Sequence, residues 1–352
     1  MMNLKKYRNK IDTLDEKIVS LLNERAAASQ KIGQEKLKNK KNIYAPEREK
    51  EVLNKIKRLN QGPMKPTAFE AIYREIMSSC IALEKPLNIA NLGSRGSFTS
   101  IAARQKFGNQ ISYISCSSIP EVFEKVEQGD CDYGVVPIEN STEGAVTPTF
   151  DLLVDSELKI CSQVMVRVSH CLCSHASLNR IRKIYSNPQV FGQCRHWLQT
   201  HLAQVGQIWV PSTTLAAQMA GKEKNAAAIC SQEAADLYKL KVVKKNIQDI
   251  AHNATRFLII GPEDASATGK DRTSLVFSIK DKVGALHDML MPFYRNKINL
   301  TKIESRPSKK KAWDYYFFVD LDGHRCDQKV KKALDELEGR CKYLKILGSY
   351  PA

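Results

Sequence analysis

Residues 135–144 constrain the fold of this chain more than any other stretch. Val135 and Val136 read as the end of a buried strand, and Pro137 interrupts it. Glu139, Asn140, Ser141, Thr142 and Glu143 follow at once, and Gly144 permits a sharp exit. Amide, hydroxyl and carboxylate groups at the carboxyl end of a buried strand stand where open α/β sheets hold ligands. A second stretch, Asn253-Ala254-Thr255-Arg256-Phe257, again sets polar groups against an apolar strand, residues 257–260. A hydroxyl beside a cation suits an acidic substrate with a poor leaving group. Taken singly, each stretch also reads as an ordinary strand cap.

A chain of 352 residues holds one to three domains. It has no run of about 18 apolar residues, so no membrane-spanning helix is expected. Residues 1–10 are polar and lack an apolar signal core, so no export is implied. Ten cysteines lie mostly inside apolar stretches such as residues 227–230. That suits reduced thiols in a cytoplasmic protein better than a disulfide framework.

The net charge of +16 asks for a partner. Residues 1–85 hold 19 Lys+Arg and 11 Asp+Glu, a balance of +8. Nucleic acid is set aside, because the basic residues are not interleaved with aromatics and no zinc-finger or RNA-binding signature occurs. Small multivalent anions fit better. His170, Cys171, Cys173 and His175 form a compact cluster that could suggest zinc. On a strand, however, Cys171 and Cys173 share a face that His170 does not, and no second ligand pair follows. No metal and no cofactor are expected.

Residues 3–37 read as one long helix, with Leu4, Ile11, Leu14, Ile18, Leu21, Leu22 and Ile32 forming a stripe. Arg25 and Lys36 fall in the middle of that stripe. Two cations on a core-facing line are costly unless paired, so both should point into one buried polar space. Snorkelling or buried salt bridges are the plainer reading. A second helix is expected over residues 46–60, opened by Pro46, with Glu49 on its apolar side and Arg48 at the edge. A third is expected over residues 67–83, closed by Glu84. Three helices are too thin to bury a core well, so dimerisation is expected.

Residues 262–271 are small and polar and read as a linker. Beyond them, apolar runs alternate with helical patterns in the order βαββαβ, which suits a small open-faced sandwich. Gly284 permits close backbone approach, and the following helix N-terminus can accept a carboxylate.

Three resemblances follow. Residues 1–85 are similar to the all-helical chorismate mutases through Tyr7-Arg8-Asn9-Lys10-Ile11-Asp12, Asn23-Glu24-Arg25, Gly33-Gln34-Glu35-Lys36 and Pro46-Glu47-Arg48-Glu49. The resemblance implies that Arg25, Lys36 and Arg48 hold the carboxylates and ether oxygen of chorismate. It implies that Glu49 binds the hydroxyl and that Arg8 reaches the partner subunit's site. Glu84 falls where the family carries Gln or Glu near the ether oxygen, and must be protonated to donate there. Residues 86–262 resemble prephenate dehydratases through the two opening motifs, Gly93-Ser94-Arg95-Gly96-Ser97-Phe98-Thr99, Ser169-His170-Cys171-Leu172 and Ser212-Thr213-Thr214. Ser94 stands where many members have proline, and Asn187 where many have histidine, so no catalysis is assigned to Asn187. The implied domain is a two-lobed α/β unit like a periplasmic binding protein. Thr255 would assist the leaving hydroxide, with Arg256 among the catalytic residues, holding either a carboxylate or the lobe geometry, and Asn140, Ser141 and Thr213 in the cleft.

Residues 272–352 resemble an ACT domain, a ferredoxin-like α+β fold. Gly284-Ala285-Leu286-His287 and Glu304-Ser305-Arg306-Pro307 match its phenylalanine-sensing motifs. Together the resemblances imply a multidomain enzyme that turns chorismate into prephenate and prephenate into phenylpyruvate, inhibited by L-phenylalanine, as a homodimer or larger. A dehydratase with a decayed mutase and a non-catalytic amino-acid sensor are the alternatives. Intact Arg8, Arg25, Lys36 and Arg48 weigh against the first, and intact Thr255-Arg256-Phe257 against the second.

Overall fold

The computed structural model describes residues 2–39, 42–279, 283–309 and 314–352. The chain divides into two compact units. One is Met1–Asn88 with Phe107–Ser112, and the other is Ile89–Lys106 with Tyr113–Ala352.

The first unit is helical: α1 (Met2–Lys38), α2 (Pro46–Leu59) and α3 (Pro66–Glu84). Prolines in the first turn open α2 and α3, where a missing N–H costs nothing. The stripe on α1 forms as expected but stays open: Leu4 is 59% exposed, Ile11 55%, Ile18 53% and Ile32 54%. A single copy therefore leaves its main apolar face unburied.

In the second unit, β1 (Asn88–Leu92), α4 (Phe98–Phe107), β2 (Ser112–Cys116), α5 (Ile119–Glu127), β3 (Tyr133–Asn140), β4 (Gly144–Ala145), α6 (Thr147–Asp155) and β5 (Lys159–Arg167) build a first lobe. The chain then crosses to a second lobe of β6 (Cys171–Ser174), β7 (Lys183–Ser186), α7 (Pro188–Gln193), α8 (Arg195–His201), β8 (Gly206–Trp209), α9 (Thr213–Ala220), β9 (Ala226–Cys230), α10 (Gln232–Leu237) and β10 (Lys241–Lys244). It returns as β11 (Ala254–Gly261), which enters the first sheet between β3 and β5. The sheet orders are β2-β1-β3-β11-β5 and β10-β6-β9-β7-β8. Two crossings make two lobes with a cleft at the junction.

The remaining elements are β12 (Asp271–Ser278), α11 (Ala285–Arg295), β13 (Leu300–Pro307), β14 (Tyr315–Asp322), α12 (Gln328–Glu338) and β15 (Tyr343–Pro351). They form an antiparallel sheet ordered β13-β14-β12-β15, in the expected βαββαβ succession. Two expectations are corrected here. The sheet is not open-faced: Leu275, Phe277, Val319 and Leu321 pack with the helices, while Val276, Phe318, Leu347 and Tyr350 enter the first lobe's core beside Val136, Leu258 and Ile260. Nor is the connection a free linker. Ala265 is buried in that shared core, and its N–H donates to the Ser349 carbonyl at 3.0 Å. Alternation along each strand supplies both apolar faces.

Candidate active sites

Thr255 and Asn140 meet because β11 and β3 pair antiparallel with Thr255 opposite Asn140 and Arg256 opposite Glu139. Asn140 Nδ2 donates to Thr255 Oγ1 at 2.8 Å and to Asn253 Oδ1 at 2.7 Å. Its Oδ1 accepts from Thr142 N (2.9 Å), Thr142 Oγ1 (2.6 Å) and Glu143 N (3.1 Å). Three donors on one side fix the amide, so its NH2 must face Thr255. The Thr255 oxygen is therefore an acceptor, and among the described residues its own O–H has no acceptor. Thr255 is nearly buried, so that proton is kept from bulk water.

The network continues into the second lobe. Asn253 Nδ2 donates to Gln193 Oε1 at 3.2 Å, and Gln193 Nε2 donates to Glu143 Oε1 at 3.0 Å. His170 Nε2 lies 2.7 Å from the same Gln193 oxygen, so it carries the proton. Burial pushes the His170 pKa below its ordinary value against the opposing Gln193 bond, which keeps the ring neutral. Thr142, Glu143, Gln193, Gln248, Asp249 and Asn253 line a cavity of about 210 Å³ between the lobes. Two further bonds join the lobes: Ser94 Oγ to Thr214 Oγ1 at 3.0 Å, and Ser231 Oγ to the Gly96 carbonyl at 2.7 Å.

Other expected residues land differently. Ser141 closes the β3–β11 junction: its Oγ donates to the His252 carbonyl at 3.0 Å and accepts from Ala254 N at 2.9 Å. Thr214, next to the expected Thr213, makes the bridge between lobes. Asn187 caps α7, accepting from Gln189 N at 2.9 Å. Among the described residues no three His, Cys, Asp or Glu side chains converge as a metal cluster.

Of the two roles expected for Arg256, its surroundings favour holding geometry over meeting a carboxylate of the substrate. Consecutive strand residues face opposite ways, so Arg256 points away from Thr255. Its side chain is 5% exposed, and four of its five N–H groups are engaged: Nε to Gln163 Oε1 at 2.8 Å, Nη1 to Asp320 Oδ2 at 2.6 Å and to Glu139 Oε1 at 3.2 Å, Nη2 to Tyr350 Oη at 2.7 Å. Lys302 Nζ donates to the other Glu139 oxygen. Burial pushes the Glu139 pKa up, but Lys302 and Arg256 outweigh it and hold the carboxyl below the usual range. Burial, then Asp320, pushes Tyr350 well above an ordinary phenol. Its bonds are made to Gln163, Asp320, Glu139 and Tyr350, behind the strand face that carries Thr255.

In the helical unit, Gly33 is the crossing point of α1 and α3. A Cβ there would stand 2.7 Å from Glu84 Cβ, so only glycine lets α3 come this close. The approach seats Glu84 against α1, where it accepts from Ser29 Oγ and lies 3.8 Å from Lys36 Nζ. Lys36 also donates to the Ile43 carbonyl at 2.6 Å, and Arg25 Nη1 to Cys80 Sγ at 2.9 Å. Arg25, Lys36 and Glu84 thus lie half-buried along the contact of α1 with α3. Glu49 Oε2 accepts from Tyr44 Oη at 3.3 Å. Arg48 is turned to solvent and paired with Glu51 at 2.6 Å. Arg8 is exposed and 17 residues from Arg25, roughly 25 Å along one helix, so it cannot join this half-site in the same copy.

In the C-terminal sheet, Gly284 adopts φ +78° at the start of α11, with Ala285 buried, Leu286 half-buried and His287 exposed. On β13, Glu304 and Arg306 face inward while Ser305 and Pro307 are exposed. Arg306 lies 5.9 Å over the Phe150 ring, with Nε 3.7 Å from Asp151. No hydrogen bond or ion pair joins these two segments among the described residues.

A helical unit with half-buried cations, a two-lobed unit with a nearly buried hydroxyl and an ACT-type sheet together define a multidomain biosynthetic enzyme. Residues 7–85 match the family chorismate mutase type II, residues 89–265 match prephenate dehydratase, and residues 273–339 match the ACT domain. A bifunctional chorismate mutase/prephenate dehydratase of Aquifex aeolicus is 46% identical over 356 residues, covering 100% of this chain and 98% of that one. A prephenate dehydratase of Arthrobacter aurescens solved with L-Phe is 32% identical with TM-score 0.70, covering 76% of this chain and 90% of that one. A solved protein described as a novel type of quorum quenching acylase is 28% identical with TM-score 0.68, covering 75% of this chain and 98% of that one. The chain belongs to the bifunctional chorismate mutase/prephenate dehydratase family.

Proposed function

We propose that the chain catalyses two successive steps, with residues 1–85 as mutase, 86–262 as dehydratase and 272–352 as regulatory domain. The first is the intramolecular rearrangement of chorismate to prephenate. It needs no nucleophile or cofactor, only a held conformer and cations near the ether oxygen as negative charge develops. Arg25, Lys36 and Glu84 supply that side of the pocket, Glu49 the hydroxyl contact. Arg48 swings in from solvent, and Arg8 comes from a second copy packed on the open α1 stripe. The protein is accordingly a homodimer or larger and works in the cytoplasm.

In the second step prephenate loses carbon dioxide and its ring hydroxyl. The electron pair of the broken carbon–carboxylate bond enters the ring, and the hydroxyl leaves with one proton as water. The observation that carries this reading is the Asn140–Thr255 hydrogen bond of 2.8 Å. By accepting from Asn140, the Thr255 hydroxyl becomes a stronger donor toward the departing oxygen. Asn253, Gln193 and neutral His170 hold Asn140 in that orientation. L-phenylalanine binds the C-terminal domain near residues 284–287 and 304–307 and inhibits this step. The Arthrobacter aurescens relative was solved with L-Phe, which supports L-phenylalanine as a ligand of this class of protein.

The test is an absorbance assay of the purified protein on chorismate and on prephenate, with and without L-phenylalanine. Thr255→Ala should lower prephenate turnover by about 10²-fold or more, with chorismate turnover intact. Near-normal prephenate turnover in that variant removes Thr255 from the mechanism. Binding of prephenate with no turnover in the parent protein would favour a receptor.

A further inference from the structure

The charged cluster behind Thr255 draws its members from two domains. Arg256 and Glu139 come from the paired strands β11 and β3. Asp320 comes from β14, Tyr350 from β15 and Lys302 from β13, all in the C-terminal sheet. Ser274 Oγ on β12 donates to Asp320 Oδ1 at 2.5 Å and lies 2.6 Å from Tyr350 Oη, so every strand of that sheet takes part. On both lobe strands, the residue held by the cluster is the direct neighbour of one in the reacting pair: Arg256 beside Thr255, and Glu139 beside Asn140. A cavity of about 20 Å³ lies among Phe150, Arg256, Lys302 and Asp320, room for about one water. In so tight a packing, a shift of one side chain is passed to its neighbours.

We propose that Asp320 and Lys302 are positioning residues for the dehydration step: by holding Arg256 and Glu139 on one face of the sheet, they set how Asn140 meets Thr255 on the other. The inference rests on the dehydratase reading above and extends it. The C-terminal sheet is then part of the site's scaffold as well as its regulator. It also names the shortest route for inhibition. Lys302 lies on β13, two residues before the segment 304–307. The same strand grips the first lobe a second time through Arg306, while Lys309 just beyond it binds Asp151 at 2.7 Å. An effector that displaces β13 pulls directly on Glu139, and so on Asn140.

The experiment uses the full-length enzyme and steady-state prephenate kinetics, with chorismate turnover and circular dichroism as controls for folding. Lys302→Met and Asp320→Asn should each lower dehydratase kcat by roughly 10-fold or more, with KM nearly unchanged, because a misplacement of about 1 Å costs up to about 10²-fold. Lys302→Arg should restore most of the loss. Lys302 acts through Glu139, so Lys302→Met combined with Glu139→Gln should be within about 2-fold of the worse single variant. A folded Lys302→Met with kcat within about 2-fold of the parent overturns the proposal, as do losses that multiply in the double variant or a rise in KM alone. If Asp320→Asn does not fold, the Lys302 series decides by itself. Failure of the underlying reading is distinct: it shows as full turnover in Thr255→Ala.

Discussion

Adding one methyl group at Gly348 tests whether the C-terminal sheet is built into the dehydratase unit or merely attached to it. Gly348 on β15 has φ +154°, and a Cβ there would stand 2.2 Å from the Ile160 carbonyl oxygen and 2.7 Å from Ile160 N on β5. A carbon and an oxygen rest no closer than about 3.3 Å, so β15 must retreat by roughly 1 Å. The neighbour is backbone inside a paired strand and cannot rotate away. Overpacking costs about 1–3 kcal/mol, and the strained backbone adds about 1–3 kcal/mol. A central value of about 4 kcal/mol, at about 3 °C per kcal/mol for a domain of about 250 residues, gives a fall in Tm of about 12 °C. Ile160 pairs with Ile260 on the strand that carries Thr255, so dehydratase turnover should fall too. Calorimetry of Gly348→Ala beside the parent protein measures the first effect, and prephenate kinetics the second. A Tm within about 2 °C of the parent would show that the two sheets do not make this contact in solution.

Two other predictions concern the rest of the molecule. Burial holds the His170 pKa below its ordinary 6.5, opposed by Gln193, so the unfolded chain takes up a proton that the folded chain refuses. Stability is then full above pH 6.5 and falls as pH drops below it. Chemical denaturation between pH 5 and 8 should show this slope and lose part of it in His170→Gln; an unchanged slope assigns it to other groups. On α1, Ile18→Lys places a charge in the open stripe and should yield monomers by sedimentation velocity, with mutase activity lost because Arg8 no longer reaches a second copy. A dimer with normal mutase activity would refute that use of the stripe.

Much of the fold was legible in the sequence because periodicity is local. The α1 stripe, the proline opening α2, and the βαββαβ succession all read directly from residue spacing. The placing of Asn140 and Thr255 in one cleft came from the resemblance to prephenate dehydratases, and the strand pairing that brings them together was not legible from spacing. Side-chain direction was less legible. Thr255 and Arg256 are adjacent, and reading them as one catalytic unit ignored the strand alternation that sends them to opposite faces. Asn253 stood inside the quoted motif yet has a role only through Gln193 and Asn140, which lie 60 and 113 residues away. Asp320, Tyr350 and Lys302 carry no local signal at all. Their partners belong to another domain, and a charged residue in an amphipathic strand looks the same whether it faces water or a buried arginine. The packing of the linker was illegible for a related reason: small polar residues are as suited to close backbone packing as to exposure, and Ala265 packs.

Strand alternation also explains how one short motif can answer to two masters. A strand between two layers presents each successive residue to a different environment, so a two-residue step joins a polar cleft to a buried charge cluster with no helix, hinge or loop between them. In β11 the step is Thr255 to Arg256, and in β3 it is Asn140 to Glu139, in matched register. An arginine suits the rear position because its planar fork binds several acceptors at once and stays charged under burial. A lysine there would satisfy fewer of the four partners that Arg256 holds. The desolvation cost of such a cluster makes it weak as a source of stability, since well-packed apolar residues could do as well. Its persistence at this place is better explained by geometry: charged, directional bonds fix the strand's position more narrowly than apolar contacts can, and a reaction that depends on one hydroxyl needs that strand held still.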